Sequence, residues 1–362
     1  MSEELLATLE GLSTSGAAVG RVVGPAGAPE LGMAVFVPFS APGETVRVRV
    51  TRRQPRFLEA ELVAIEVAAP GRTEPTCPHF GVCGGCDLQH LTYDAQLAAK
   101  HAMVVSAFQK GGLTLAIAPV VPSPPYGYRR RLTLQLQDGQ MGYFKRRSHT
   151  LLPITVCPVA VPELQAWLED NRPRRGEGTI MVERLDDGTV AAERNAVGTF
   201  SQANGVVNQE LVGRIVALGE GAQRACDLYA GDGNFALPLA EAGLTVTAVE
   251  VSKRLVNAGR ELAEERGISE KVRFIASDVA TFLNHAHPPV DLIVADPPRA
   301  GLGKLVNALP DAKTLALISC DLACAVRDLK GLVGEGWKVE SVTPLDMFAQ
   351  TAQIELLSVL RR

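Results

Sequence analysis

Aromatic residues make up only 5% of this 362-residue chain, and no apolar run approaches the roughly 18 uncharged residues that a membrane helix needs. A membrane span is therefore excluded. The opening MSEELLATLEGLSTSG is acidic where an export signal is basic, so the chain is expected in the cytoplasm. Seven cysteines, an odd number spread over a long chain, do not make the framework of a disulfide-stapled secreted domain. A net charge of -4 gives no sign of a wholly basic, nucleic-acid-coating protein. Internal repeats and low-complexity tracts are absent too. What remains is a globular chain, 46% hydrophobic, long enough for two or three domains at about 150 residues each.

Two local concentrations stand out against that background. Cys77, Cys83 and Cys86 fall within ten residues, in EPTCPHFGVCGGC, and clustered thiols outside a disulfide framework indicate a metal or catalysis. Tyr126 to His149 carries Arg129, Arg130, Arg131, Lys145, Arg146 and Arg147 against the single acid Asp138. A solvated strand face would account for such a run, but interleaving with Tyr126, Tyr128, Tyr143 and Phe144 suits phosphate contact and base stacking better.

The hydrophobic rhythm changes twice. Up to about residue 66, Val-rich runs (AAVGRVVG, MAVFVPF, ETVRVRV, FLEAELVAIE) alternate with Gly and Pro turns, which predicts a small β-barrel. AAPGRTEPT reads as a linker, DAQLAAKHAMVVSAFQKGG as a helix with a Gly-Gly stop, and RLTLQLQ with QMGYFKR as a hairpin about Asp138-Gly139. From about residue 222, short apolar strands alternate with helices, the latter including GLGKLVNAL and DLACAVRDLKGLVGEG. That alternation predicts a parallel sheet covered on both faces. WKVESVTPLDMF and IELLSVLRR lack an intervening helix and should form an antiparallel hairpin at the sheet edge.

Asp227-Leu-Tyr229-Ala-Gly231-Asp-Gly233-Asn234 closes the first of these strands, and Glu250 ends the second, 19 residues after Gly231. Glycines there let a ligand approach the backbone, and the acid is suited to ribose hydroxyls. An NAD-binding turn or a structural tight turn would use the same glycines. Asp227 four residues before Gly231, Ser277-Asp278 closing the third strand and Asp296-Pro297-Pro298-Arg299 closing the fourth favour S-adenosylmethionine and a methyltransferase.

Arg299 stands where adenine-amine enzymes place an aromatic residue, and no cysteine follows the prolines as it does in cytosine-C5 enzymes of the RNA class. TLALISC, however, ends on Cys320 just before a helix. Uracil C5 is too poor a nucleophile to take a sulfonium methyl unaided, whereas thiolate addition at C6 makes it one. A helix N-terminus past Cys320 would lower its pKa. A buried strand cysteine is the plainer fate, assigned here to Cys226, and Cys324 is a rival that core packing explains better. Glu355, opening the last strand, is the candidate base that removes the C5 proton.

With these residues in view, the chain resembles the RNA uracil-C5 methyltransferase family, which makes 5-methyluridine in transfer and ribosomal RNA. The likeness covers nearly the full length. It implies an α/β fold with three parts: a TRAM-type, OB-like barrel over 1–66, a central α+β iron-sulfur domain over 67–88 and 121–198, and a Rossmann-like seven-stranded methyltransferase domain over 89–120 and 199–362. Phe200-Ser-Gln202-Ala-Asn204 fits the family's F-x-Q-x-N signature, whose glutamine contacts the cofactor. The family's other S-adenosylmethionine contacts fall on Tyr229, Asn234, Glu250, Asp278 and Asp296, in and around the Gly231 and Gly233 loop. Its nucleophile falls on Cys320 and its proton-abstracting glutamate on Glu355.

The clustered cysteines match the family's C-x5-C-x2-C, and Cys157 in Thr155-Val-Cys-Pro158 matches a distant fourth ligand, which implies a 4Fe-4S cluster. On spacing alone, four thiolates would hold zinc equally well. The cluster would staple the basic hairpin to the loop at 77–86, an architectural or RNA-gripping role. RNA is the expected partner and a monomer the expected state.

Departures are local: Asp321-Leu322 replace Asn-Pro after the nucleophile, Ala230 and Asp232 alter the glycine loop, and Gln353 replaces a His. The chain is also short for the family. Two other functions stay open at this point. One is an RNA-binding module that has lost catalysis; the other is radical chemistry on S-adenosylmethionine, whose usual C-x3-C-x2-C leaves one iron open.

Overall fold

A computed structural model describes residues 4–170, 177–185, 187–195 and 202–362; Phe200, Ser201 and the expected boundary at 198–199 lie outside the described residues. Two units emerge: Met1–Met103, Pro122–Ala196 and Phe348–Gln353 form one, and Val104–Val121, Val197–Met347 and Ile354–Arg362 the other.

The first unit begins with β1 (Glu4–Leu12), β2 (Ala17–Gly24), β3 (Ala34–Pro38), β4 (Thr45–Arg53) and β5 (Phe57–Val67). They close a barrel in the order β1-β2-β3-β5-β4. Period-two alternation drives the closure, because Leu5, Ala7 and Leu9 of β1 point inward to meet Val22, Val35, Val37, Val46, Val48 and Leu58. The barrel expected from four Val-rich runs is present, with a strand the runs did not include. Leu, Glu and Ala in ELLATLEGL are good helix formers, and pairing with β2 and β4 overrides that preference. Gly20 permits the closest approach, since a Cβ there would stand 1.9 Å from the Thr8 carbonyl oxygen.

After α1 (Tyr93–Lys110) come β6 (Arg131–Gln137), β7 (Gln140–Phe144), β8 (Leu151–Pro153), α2 (Pro162–Asp170), β9 (Gly178–Arg184) and β10 (Val190–Arg194). The strands form a sheet in the order β10-β9-β6-β7-β8. The expected hairpin is β6–β7, turned by Asp138 (φ 51°) and Gly139 (φ 73°), the left-handed pair of a type I′ turn. Leu132, Leu134 and Leu136 pack with Leu164 and Leu168 of α2, each such burial contributing about 1.5–3 kcal/mol. The excursion Phe348–Gln353 is stitched into this unit by Gln350, whose carbonyl accepts the N–H groups of Asp87 (2.9 Å) and Leu88 (3.0 Å).

The second unit contains α3 (Gly205–Leu218), β11 (Arg224–Leu228), α4 (Ala236–Glu241), β12 (Thr245–Glu250), α5 (Lys253–Glu265), β13 (Val272–Ala276), α6 (Val279–Leu283), β14 (Val290–Ala295), β15 (Ala312–Ser319), α7 (Leu322–Gly334), β16 (Lys338–Leu345) and β17 (Glu355–Arg361). Its sheet runs β13-β12-β11-β14-β15-β17-β16. The first five strands in that order are parallel, and the order reverses between β11 and β14. β16 and β17 form the antiparallel hairpin expected at the sheet edge, with β16 outermost and β17 paired antiparallel to β15 on its inner side. Ile117 and Val121 bridge Val342 and Leu345, covering part of that edge.

The helix expected over GLGKLVNAL is a 3-10 turn, Gly303–Asn307. Gly301 and Gly303 take positive φ at its start and Pro310 follows, which leaves too few residues to nucleate an α-helix. Upstream, α1 stops as expected, with Leu113 N–H donating to Phe108 O and Gly112 (φ 77°) N–H to Gln109 O in a Schellman arrangement. No helix among the described residues is long and apolar enough to cross a membrane.

Candidate active site

Ligands of open parallel sheets bind at strand carboxyl ends where the order reverses, here the ends of β11 and β14. The chain leaves β11 through Tyr229 (φ 64°), Gly231 (φ 58°) and Gly233 (φ 106°). Gly233 is obligatory, because a Cβ would stand 2.7 Å from Leu237. Glu250 braces the loop from β12: its carboxylate accepts the N–H of Gly231 at 3.1 Å and of Ser252 at 2.8 Å. Asn234 is held by a reciprocal amide pair with Asn208 of α3, at 2.8 and 3.1 Å. Asp278 caps α6, accepting from Thr281 N–H at 3.2 Å, and remains exposed. Gln202 is half-buried, two residues before Asn204, which caps α3 through Val207 N–H.

The reacting groups gather one strand further on. Ser319 and Leu356 are the last pair of the β15–β17 ladder, and the next step of that register sets Cys320 opposite Glu355. Directly opposed side chains on adjacent strands share a face, with Cβ atoms about 4.5–5.5 Å apart. Glu355 is 6% exposed. Burial, then repulsion from Asp296, pushes its carboxyl up to about 8. Asp296, at the tip of β14, is itself raised to about 6 by burial. Behind them, Asp227 is 0% exposed with no hydrogen-bond partner on either carboxylate oxygen. Burial, then the charge of Asp296, holds it well above the usual carboxylate range.

Cys320 is solvent-exposed, and Cys226 is buried in β11 as expected. The thiol pKa of Cys320 departs from expectation. Desolvation of the sulfur, followed by the charges of Glu355 and Asp296, pushes it up to about 11, with Arg299 opposing. The start of α7 does not lower it, because desolvation and then two carboxyl groups outweigh the fractional charge of a helix end. The loop carrying Arg299 is fixed from α7. Asp328 accepts the N–H groups of Leu302 (2.7 Å) and Gly303 (3.1 Å), and Arg327 donates to Ala300 O at 2.6 Å.

A second cysteine site lies in the first unit. Cys77, Cys83, Cys86 and Cys157 all line one cavity of about 570 Å³, with Gln89, Arg129 and Tyr143. The 77–86 loop reaches the hairpin end, where Cys83 bridges Lys145 and Arg146 N–H donates to Val82 O at 2.9 Å. Burial pushes the thiols of Cys83, Cys86 and Cys157 up, with neighbouring thiolates adding to the rise. All four are free thiols, and no three His, Cys, Asp or Glu among the described residues are grouped to hold a metal ion.

The basic residues do not form one solvated row. Arg129, Arg130 and Arg131 are half-buried and donate to Arg131 O, Arg184 O and Met181 Sδ respectively. Arg146 pairs with Asp87 and lies over the Phe39 ring at 5.1 Å. Lys145 and Arg147 are exposed. Of the aromatics considered for stacking, Tyr128 is buried and donates to Ala349 O at 2.9 Å, while Tyr143 joins the sheet core.

The tRNA (uracil-5-)-methyltransferase family model matches residues 182–362, and the TRAM domain model matches residues 2–63. An uncharacterised RNA methyltransferase of Bdellovibrio bacteriovorus is 32% identical, covering 100% of this chain and 96% of its own length. The 23S rRNA (uracil(1939)-C(5))-methyltransferase of Pectobacterium atrosepticum is 30% identical over 91% of this chain and 89% of its own. The chain belongs to the tRNA (uracil-5-)-methyltransferase family. Its fold matches the tRNA (uracil-54, C5)-methyltransferase of Pyrococcus abyssi, solved with S-adenosyl-L-homocysteine, at a TM-score of 0.74 and 20% identity. That match covers 98% of this chain and 100% of the other.

For a uracil-5 methyltransferase, the departures in this chain are structurally mild. Asp321 caps α7, accepting from Cys324 N–H at 2.8 Å, and it is not among the groups that raise Cys320. Ala230 is buried, donating its N–H to Val249 O at 2.9 Å, and the Gln353 side chain is exposed. Sequence reasoning missed Asn208, Arg327 and Asp328, which brace the family's loops from neighbouring helices. No motif marks them; Asp328, 1% exposed on a helix, reads in sequence as a surface acid.

Proposed function

We infer that this family member transfers a methyl group from S-adenosylmethionine to C5 of a specific uridine in structured RNA. The placement of Cys320 and Glu355 next past the Ser319–Leu356 pair, where the Glu355 charge acts on the Cys320 thiol, carries this conclusion. Cys320 sulfur adds to uracil C6 after losing its proton to solvent, and the displaced π electrons make C5 nucleophilic. Bound S-adenosylmethionine supplies the electrophilic methyl and a positive charge that opposes the carboxylates holding the Cys320 thiol up. Glu355 then takes the C5 proton, the C–H pair re-forms the C5–C6 double bond, and Cys320 leaves as thiolate. Gln202, Tyr229, Asn234, Glu250, Asp278 and Asp296, with the Gly231 and Gly233 backbone, would hold the donor. Flipping the uridine out of the RNA costs a few kcal/mol, offset by contacts from the barrel and from exposed Lys145 and Arg147.

The domain assignment follows: 1–66 as an RNA-binding TRAM barrel, 67–88 and 121–198 as an iron-sulfur domain, and 89–120 and 199–362 as the Rossmann-like catalytic domain. A 4Fe-4S cluster on Cys77, Cys83, Cys86 and Cys157 suits the cysteine cavity. One zinc ion needs all four sulfurs about 2.3 Å from a single point. A cluster is bulky and is ligated at its corners by separate thiolates, a demand that four cysteines lining a single cavity can meet. The cluster would tie the 77–86 loop to the hairpin. The protein would act in the cytoplasm as a monomer.

Incubation with a labelled methyl donor and RNA lacking 5-methyluridine tests the activity. Label should appear as 5-methyluridine after nuclease digestion and vanish with Cys320→Ala. Label in another nucleoside would refute the chemistry, and RNA binding without transfer would favour a module that has lost catalysis.

A further inference from the structure

Gln89 lies three residues past Cys86 and is 1% exposed. Its amide oxygen accepts the Cys77 N–H at 3.0 Å. That contact fixes which way the amide faces, because the swapped orientation would oppose donor to donor. The nitrogen end, Nε2, is buried without a hydrogen-bond partner. Gln89 also lines the cavity that the four cysteines share. A buried amide donor without an acceptor is rare in folded proteins and calls for a bound partner.

The cavity itself indicates what that partner is. Its cysteine lining offers sulfur, and the nearby cationic and phenolic groups, Arg129 and Tyr143, bring donors of their own. An N–H donor aimed at thiolate or sulfide sulfur withdraws negative charge, favours the reduced and more negative state of an iron-sulfur cluster, and shields the sulfur from solvent. Gly85 N–H, 3.4 Å from Cys83 Sγ, provides a second donor of the same kind.

We propose that Gln89 is a positioning residue for the cluster. Its amide oxygen anchors the Cys77 ligand loop, while its amide nitrogen donates to the Cys86 thiolate or an adjacent cluster sulfide, raising the reduction potential and slowing oxidative loss. This rests on the cluster assignment above.

The test compares wild type with Gln89→Leu and Gln89→Glu, all purified anaerobically as full chains. Glutamate keeps an oxygen for the Cys77 N–H and changes only the donor, so it separates the sulfur contact from loop anchoring. Iron and sulfide per chain, the midpoint potential, the rate of absorbance loss in air and the affinity for S-adenosylmethionine are measured. Wild type should hold a full complement of iron and sulfide. Both variants should show a lower midpoint potential and lose the cluster several-fold faster, Gln89→Glu most of all, with S-adenosylmethionine affinity unchanged. A Gln89→Glu protein with wild-type potential and lifetime would overturn the role of Gln89. Wild type that takes up no iron would overturn the cluster assignment itself.

Discussion

Cysteine sulfur occurs in this chain in two contrasting settings. In the first unit Cys77, Cys83, Cys86 and Cys157 line a common cavity, where burial and neighbouring thiols make it costly for Cys83, Cys86 or Cys157 to ionise alone. In the second unit Cys320 ends a parallel strand, open to solvent, and faces the carboxyl groups of Glu355 and Asp296. Both settings raise thiol pKa values, for different reasons and with different remedies. Thiols that repel one another are relieved by a shared ligand that takes up their charge, which makes a structural site. A thiol held up by carboxyl groups is relieved when one of them is neutral or a cation binds nearby, which makes a site that acts only when loaded.

Cys320→Ala should have the largest effect, lowering methyl transfer by on the order of 10⁴-fold or more while leaving iron content intact, read by label transfer and metal analysis on one sample. Glu355→Gln comes next. Turnover should fall by about 10²–10⁴-fold, and protein-linked RNA should accumulate on denaturing gels, because the C5 proton cannot leave. Cys83→Ser should act on the other side of the contrast, abolishing iron uptake and weakening RNA binding about tenfold, or about 1.4 kcal/mol, with turnover at saturating RNA little changed. Asn208→Ala should have the smallest effect, raising the S-adenosylmethionine KM several-fold through loss of the Asn234 brace, at about 1 kcal/mol.

Acidity distinguishes the two settings further. Glu355 and Cys320 must both be ionised to act, so turnover should rise with pH through about 8 and go on rising toward about 11. Its stability effect runs the opposite way. Burial raises the folded-state value above the usual 4.5, so the folded state binds this proton more tightly. The contribution is complete below about pH 4.5 and is lost as pH rises through about 8. Glu355→Gln should therefore melt higher than wild type at pH 9, a difference that shrinks toward pH 5.

Much of this was legible in the chain itself. Asp138-Gly139 between alternating strands, the β-loop-α rhythm after residue 222, and the cysteine and glycine spacings are local patterns with local physical causes. Long-range pairing hid the rest. β1 lacks a Val-rich run and only its pairing in the barrel marks it as a strand, and Glu355 reads as a solvated strand end because β17 lies inside the sheet. The Cys320 thiol was expected to be lowered by the start of α7. Desolvation of the sulfur, then two carboxyl groups brought by β14 and β17, distant in sequence, outweigh it. Arg129, Arg130 and Arg131, a basic triplet in sequence, turn largely to backbone and sulfur acceptors of the fold.

Incubating the protein and S-adenosylmethionine with RNA carrying 5-fluorouridine most directly tests the opposition of Cys320 and Glu355. Fluorine at C5 cannot depart as a proton, so the covalent species should persist, and mass spectrometry should find methylated fluorouridine on the peptide bearing Cys320. Methyl transfer to natural RNA with no adduct on Cys320, or an adduct carried by Cys324 instead, would contradict the account.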